Sequence, residues 1–360
     1  MNRFRKVIEQ SLLELKQPEV AGEFCVHSLV ASATCRSCVD ACPRQAWILD
    51  DSVLGLDTSA CDGCGLCVPA CSEGAIQRLY NPVQYHWKER DIVFLACERA
   101  GLSGTEGVVP CVHGIGVRDL LILYHKGVKD LMLSRGDCSN CQRGEISRLD
   151  DALKGMNRML HDRELPPLRH YELTAEKWTD GLKAVMPPAK GPEMERRYFL
   201  RRTVAMLVND QSLEERLGVD KATWSTPVGQ ILPATRHDAI APFIPRFNLA
   251  VCHGCDACVR LCPHQAISLE RHGEGSGASY IIHPDSCSGC GLCIDGCEVD
   301  AISVETWAVP SQLEINLIQT NCPACGADNH RPEASEQHEK GLCRICSQVN
   351  HYSNLHQVLE

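Results

Sequence analysis

The chain has 360 residues, a formal net charge of −10, 5% aromatic residues and 24 cysteines. The length allows two or three domains of ordinary size, or more small ones. The acidic balance argues against a nucleic-acid partner, and the lack of an apolar run of about 18 residues argues against a membrane span. Disulfides suit small secreted domains, but the N-terminus shows no apolar signal core. We therefore expect the cysteines to bind metal in a cytoplasmic protein.

Residues 1–22 carry a charged amphipathic pattern. Its apolar positions are Phe4, Val7, Ile8, Leu12, Leu13 and Leu15. Apolar residues at this spacing occupy one face of a helix, so the pattern predicts an N-terminal amphipathic helix.

Residues 23–80 and 247–306 each contain two cysteine runs. The runs are Cys35, Cys38 and Cys42; Cys61, Cys64, Cys67 and Cys71; Cys252, Cys255, Cys258 and Cys262; and Cys287, Cys290, Cys293 and Cys297. Three of the four have the spacing C-x2-C-x2-C-x3-C, which is the ligand pattern of bacterial [4Fe–4S] ferredoxins. Each run leads into a C-x3-A unit, whose small residue lets the backbone approach a cluster. These residues are Ala46, Ala75, Ala266 and Ala301.

Both segments resemble the bacterial two-cluster ferredoxins, in which two short helices and small hairpins surround two cubane clusters. In that family the fourth cysteine of each run binds the other cluster. The resemblance implies four [4Fe–4S] clusters in this chain. Three complete ligand sets follow from it: Cys252, Cys255, Cys258 and Cys297; Cys287, Cys290, Cys293 and Cys262; and Cys61, Cys64, Cys67 and Cys42.

The fourth ligand set is irregular. It contains Cys35, Cys38 and Cys71, and Ser32 occupies the position where the first cysteine of the run would stand. We predict that Cys25 completes this set. The alternatives are His27, which would raise the reduction potential as imidazole does in Rieske centres, and a three-cysteine cluster with an open iron.

Residues 88–148 are expected to form a small α/β unit. Residues 92–95 and 131–133 are short apolar runs typical of buried strands. Between them, residues 117–124 have a helical pattern that ends at Gly127. The unit carries Cys97, Cys111, Cys138 and Cys141. Cys97 and Cys138 follow the two strands, at the position where doubly wound sheets bind ligands.

This unit resembles the iron–sulfur delta subunit of methyl-viologen-reducing hydrogenases, which connects a hydrogenase to heterodisulfide reductase. The matching pieces are the strand ending near Cys97, the Pro110–Cys111 step, the Gly-Val-Lys-Asp run at 127–130, and Gly136-Asp137-Cys138 ahead of Gly144. That family binds a [2Fe–2S] cluster, so the resemblance implies one held by the four cysteines of the unit. A reversible dithiol at Cys138 and Cys141, or purely structural cysteines, are the alternatives.

Residues 149–246 contain no cysteine, and proline pairs interrupt their polar, helix-prone segments. We expect a helical connector or a docking surface there.

Residues 320–348 contain two C-x2-C pairs, which predict a tetrahedral site with four sulfur ligands. The ligands would be Cys322, Cys325, Cys343 and Cys346. Zinc in a zinc-ribbon-like module is expected rather than rubredoxin iron, because Arg344 and Ser347 occupy places where rubredoxin carries proline and glycine.

The predicted fold class is α+β, with two ferredoxin-like domains, the α/β unit, the connector and the C-terminal module. There is no G-x-G-x-x-G motif after a strand, so nothing indicates a bound dinucleotide or flavin. No catalytic residue is predicted. The leading interpretation is an electron-transfer subunit of a hetero-oligomeric complex. It would relay single electrons between redox enzymes such as hydrogenase, formate dehydrogenase or heterodisulfide-reductase-type complexes.

Two other functions are compatible with the same residues. In one, Cys138 and Cys141, or an open iron, would reduce a disulfide or another small substrate. In the other, the chain would be a scaffold that assembles a metalloenzyme through its connector and C-terminal module.

Overall fold

Nine segments of the chain are described by a computed structural model. They are residues 17–50, 53–78, 82–102, 106–144, 147–186, 225–233, 239–272, 277–335 and 342–348. The chain divides into two compact units, residues 1–25 with 36–226, and residues 26–35 with 227–360. The predicted N-terminal helix falls mostly outside the described residues, and its last part contains strand β1 (Glu19–Val20) instead of helix. None of the described helices combines the length and apolar character that a membrane crossing needs.

Short strands surround the first two cysteine runs. They are β1, β2 (Trp47–Asp50), β3 (Val53–Leu56) and β4 (Ile76–Gln77), with β1 paired to β4 and β2 to β3, both antiparallel. The 3-10 helix Gly22–Phe24 precedes Cys25, and the helix Ser37–Asp40 contains Cys38. Cys67 belongs to a small core with Trp47, Val68 and Ile76. Strands of two to four residues provide few apolar side chains, and cysteines such as Cys67 therefore make up part of the apolar interior.

A five-stranded sheet lies at the centre of the α/β unit. Its strands are β5 (Val83–Trp87), β6 (Arg90–Cys97), β7 (Val108–Val109), β8 (Val128–Ser134) and β9 (Arg169–Glu172). The order is β5-β6-β8-β9, with β7 also beside β6; β5 is antiparallel to β6 and the other pairs are parallel. Short 3-10 helices span Glu98–Ala100 and Val112–Gly114. The two predicted strands and the predicted helix, observed as Val117–His125, are confirmed.

The predicted boundary near residue 148 does not coincide with the end of this sheet. The helix Arg148–Asp162 buries one apolar face, and β9 then pairs with β8. The helix Ala175–Val185 follows. Its Trp178 is fully buried, stacks edge-on against Phe94 at 5.6 Å between ring centroids, and donates a hydrogen bond from Nε1 to the Met132 carbonyl. Residues 148–186 are therefore part of the α/β unit, whereas residues 187–224 of the expected connector lie outside the described residues.

The described residues of the second unit form six strands. They are β10 (Ala241–Phe247), β11 (Ile267–Arg271), β12 (Ala278–Ile282), β13 (Ile302–Ala308), β14 (Glu314–Asn321) and β15 (Asp328–Pro332). β10 pairs with β13, and the other four form an antiparallel sheet in the order β11-β12-β14-β15. Short helices span Val26–Leu29, Val228–Ile231, Ala257–Leu261, Pro284–Ser286 (3-10), Leu292–Asp295 and Arg344–Gln348.

The edges of the second ferredoxin-like domain also differ from the sequence prediction. β10 starts at Ala241 and pairs with β13, so the chain joins this domain before residue 247. At the other end, β14 pairs with β12 of the domain, and Ile315 and Leu317 share a core with Tyr280. The C-terminal cysteine module is therefore continuous with the sheet of the second domain.

The packing of Trp178 leads to a stability prediction. Trp178→Ala removes a fully buried ring from the sheet face, and we expect a loss of about 3–5 kcal/mol in the free energy of unfolding. Tyr171→Ala is the matched control, because this aromatic residue lies in the same segment but is 42% exposed. Urea unfolding of the metal-loaded protein measures both. Equal, small effects of the two substitutions would show that residues 169–186 do not belong to the α/β unit.

Candidate iron–sulfur and metal sites

Cysteines from the first two runs line one pocket of the first unit. They are Cys42, Cys61, Cys64 and Cys67, and Trp47 and Leu56 supply part of the apolar wall. The crossed-ligand scheme of the two-cluster ferredoxins places the same four cysteines on one cluster. Burial raises the pKa of the Cys64 and Cys67 thiols to about 12. A thiolate in this pocket needs compensation of its charge, which bound iron would supply.

The second domain shows the same crossing between runs. Cys297 is an electrostatic neighbour of Cys252, while Cys262 is a neighbour of both Cys287 and Cys293. Burial raises the pKa of the Cys287 and Cys293 thiols to about 12. Each neighbourhood thus contains the fourth cysteine of the other run, as two [4Fe–4S] clusters would require.

A left-handed turn recurs after the last cysteine of every run. The residue before the alanine of each C-x3-A unit has a positive φ: Gln45 (50°), Gly74 (70°), Gln265 (54°) and Asp300 (50°). In three of these units the alanine N–H donates to the cysteine Sγ, from Ala46 to Cys42 at 3.4 Å, from Ala266 to Cys262 at 3.2 Å and from Ala301 to Cys297 at 3.2 Å. Such bonds stabilise negative charge on a ligand sulfur. Only Gly74 gives a sequence signal for the turn, so sequence reasoning missed it.

The first run departs from the others in its backbone as well as its spacing. Gly63, Gly254 and Gly289 precede the second cysteine of the regular runs, with φ between 66° and 79°. Thr34 stands at the equivalent position of the first run. The positive φ found just after the second cysteine, as at Asp256, is also missing, because Arg36 has φ of −127°.

The ligand that would complete the irregular set stays a prediction. Cys25 directly follows the 3-10 helix, and its N–H donates to the Gly22 carbonyl. The Nε2 of His27 is 2.8 Å from the Cys35 carbonyl oxygen. This hydrogen bond occupies one of the two ring nitrogens through which His27 could bind iron.

The four cysteines of the α/β unit line a second pocket. They are Cys97, Cys111, Cys138 and Cys141. Cys97 ends β6, and Cys138 and Cys141 lie in the loop after β8, which is parallel to β6. Burial raises the pKa of the Cys111 thiol to about 11. The donor set suits an iron–sulfur cluster with four thiolate ligands.

His113 is a candidate functional residue that sequence reasoning missed, because no local pattern distinguishes it from an ordinary histidine. The ring is buried, and its Nδ1 accepts a hydrogen bond from the Leu149 N–H at 3.3 Å. The proton of the neutral ring is therefore on Nε2, which lies 3.6 Å from the Cys138 Sγ. Burial lowers the pKa of His113, which favours this neutral form. His113 can thus donate a hydrogen bond to a cysteine sulfur of the pocket.

The C-terminal cysteines converge tightly. The sulfur atoms of Cys322, Cys325, Cys343 and Cys346 all lie within 4.8 Å of one another. The Sγ atoms of Cys325 and Cys343 are 3.8 Å apart, which matches a tetrahedral ion with metal–sulfur bonds of about 2.3 Å. The Cys343 N–H donates to the Cys322 Sγ and lowers the pKa of Cys322 to about 6. The set fits a single metal ion with four thiolate ligands.

Comparison with protein families supports the two ferredoxin-type domains. Residues 32–76 and residues 251–301 each match a family model described as a 4Fe-4S dicluster domain. Both segments are therefore ferredoxin-type 4Fe-4S domains. The first match begins at residue 32, so Cys25 lies outside it. A search of curated proteins gives no match to the chain.

The left-handed turn before Ala266 leads to a prediction. Gln265→Val places a β-branched residue in a conformation that such residues strongly avoid, so we expect the turn to shift and the bond from Ala266 to Cys262 to weaken. Loss of that bond disfavours the reduced, more negative cluster, so the reduction potential of the cluster bound by Cys262 should fall. An EPR-monitored redox titration measures it. Gln265→Gly, which adopts the turn freely, should keep the original potential; an unchanged potential in Gln265→Val would contradict the role of the turn.

The C-terminal site leads to a second prediction. Cys325→Ser removes one of four ligands from a single-ion site, so we expect the protein to lose one equivalent of zinc and to keep its iron. Elemental analysis of anaerobically purified protein measures both metals. Thr320→Ala, in the same hairpin, is the control and should retain the zinc. Full zinc content in Cys325→Ser, or iron at this site in the unaltered protein, would contradict the prediction.

Proposed function

We propose that the protein is an iron–sulfur electron-transfer subunit that relays single electrons between partner redox enzymes. The observation that carries the proposal is the grouping of cysteines into crossed ligand neighbourhoods inside two 4Fe-4S domains, with a further four-cysteine pocket beside the first. Bound clusters supply the one-electron chemistry. The residues of the chain hold the clusters, exclude water and donate N–H groups to the sulfurs.

The pocket of the α/β unit is proposed to hold a [2Fe–2S] cluster. Its four cysteines lie at or after the carboxyl ends of the parallel strands β6, β7 and β8. Two donors reach their sulfurs: the Arg99 N–H lies 3.4 Å from the Cys97 Sγ, and His113 lies beside Cys138. The resemblance of this segment to the hydrogenase delta subunit supports the same cluster. That resemblance also favours partners of the hydrogenase or heterodisulfide-reductase type, in a cytoplasmic hetero-oligomeric complex.

The C-terminal site is proposed to hold zinc in a structural role, since zinc has no redox chemistry. Its module packs on the second ferredoxin-type domain. The Ser335 Oγ donates to the Cys252 carbonyl at 2.9 Å, and Arg344 forms an ion pair with Glu298. A metal ion that orders this module would therefore also support the cluster loops of that domain.

The proposal is tested by anaerobic isolation of the native protein with its bound partners. We expect about 16 iron atoms from four cubanes and about two more from the α/β pocket, with matching sulfide. Mass spectrometry of co-purifying chains identifies the electron donor and acceptor. A stable, fully loaded chain with fewer than about 16 iron atoms would refute the four-cubane assignment.

Substitution of the pocket cysteines separates electron relay from disulfide reduction. Cys138→Ser and Cys141→Ser should abolish a [2Fe–2S] EPR signal and leave the cubane signals in place. If both variants instead kept every cluster and lost a disulfide-reductase activity, the dithiol enzyme would replace the relay. Ser139→Ala, between the two cysteines, is the control and should change neither property.

A further inference from the structure

The two cysteine pockets of the first unit meet at a buried contact. Cys64 of the first pocket and Cys111 of the second pack together with Leu66 as one apolar cluster. Gly114, three residues after Cys111, lies against the backbone of Cys64 and Gly65, and a Cβ added there would come within 2.9 Å of the Cys64 carbonyl oxygen. No further side chain fits between the two loops at this point.

Two of the buried arginines in the described residues lie beside this contact: Arg78, and Arg143, whose charge pairs with Asp62. Arg78 follows β4 and is only 7% exposed, and its Nη1 donates to the Gly63 carbonyl at 3.2 Å. Its guanidinium covers Gly65, where even a Cβ would collide with it. The groups that act electrostatically on Arg78 are Asp119 and three cysteines that belong to both pockets: Cys64, Cys67 and Cys111. A guanidinium keeps its proton at any physiological pH, so the charge is permanent.

The nearby carboxylates do not fully balance the charge of Arg78, so its positive charge also acts on the cysteine sulfurs. Asp119 is buried and also interacts with Arg118. Arg118 has a second carboxylate neighbour in Glu73, and its cysteine neighbour is Cys71 of the other ligand set. Two guanidinium groups therefore share the Asp119 carboxylate, and the remaining negative charge near Arg78 comes from the cysteines of the two pockets.

We propose that the Cys64–Cys111 contact is the electron junction between the two pockets and that Arg78 is its positioning residue, which raises the reduction potential of both clusters together. The proposal rests on the proposed function, because it needs a cluster in each pocket. In the transfer one cluster loses an electron and is oxidised, and the other gains it and is reduced, with no bond or proton exchanged. A fixed positive charge facing both ligand sets stabilises the added electron on either side, so it raises the two reduction potentials together.

The test replaces the cation. In Arg78→Gln, we expect the reduction potentials of both the Cys61–Cys67 cubane and the α/β cluster to fall. Each equilibrium constant for reduction should decrease at least tenfold, which is about 59 mV for a one-electron couple. Arg118→Gln is the matched control, since it also removes a buried guanidinium beside Asp119. It should leave the potential of the α/β cluster unchanged. Arg78→Lys, which keeps the charge, should restore most of both potentials.

A measurement on the unaltered protein covers the case in which Arg78→Gln does not fold. With both clusters reduced, their EPR signals should show a magnetic interaction, seen as broadening and faster relaxation, that disappears when Cys138→Ser removes the α/β cluster. The junction would be overturned if both clusters were present without a magnetic interaction, or if Arg78→Gln left both reduction potentials unchanged. Either result would leave the relay function standing. Absence of any cluster from the α/β pocket would overturn the junction together with that part of the proposed function.

Discussion

Negative charge on buried sulfur is the constraint on which the structure depends. A thiolate removed from water is costly unless a metal, an N–H donor or a cation balances it. Burial raises the pKa of the Cys64, Cys111 and Cys287 thiols. Much of the surrounding chain consists of turns that aim backbone N–H groups at sulfur, rather than of long helices or strands. The left-handed residues before Ala46, Ala266 and Ala301 are therefore part of the ligand environment.

Most of each ferredoxin-type domain shares its compact unit with a companion cysteine module. The first domain is joined to the α/β pocket, with Cys64 and Cys111 in contact. The second domain is joined to the C-terminal module through the shared sheet. There His330 contacts Asp256, which lies between two cysteines of the run, at 2.7 Å. One companion carries a pocket suited to electron transfer and the other a compact single-ion site. Two domains of the same type thus adjoin cysteine modules of different chemistry.

Sequence reasoning succeeded where the signal is local. Cysteine spacing indicated the two ferredoxin-type domains, and short apolar runs indicated β6 and β8. It failed where a residue is defined by a distant partner. Trp178 packs on the sheet because its ring contacts Phe94 and its Nε1 donates to the Met132 carbonyl. The proline pairs around its helix had suggested a connector instead. His113 likewise depends on contacts with Leu149 and Cys138, and no local pattern distinguishes it from a histidine in a turn.

Several arginine side chains lie around the first cysteine runs although the chain as a whole is acidic. Several arginines donate to backbone carbonyls beside the cysteines, and the pairs are Arg78 with Gly63, Arg118 with Ser72, Arg143 with Pro110 and Arg148 with Leu66. A carbonyl oxygen carries no net charge, so these bonds fix the guanidinium groups without cancelling their charge. Arg143 does pair with Asp62 as well, and Arg78 and Arg118 share Asp119. The positive charge that remains lies where clusters with thiolate ligands would be negative, and the same bonds hold the loops of both pockets at a fixed separation.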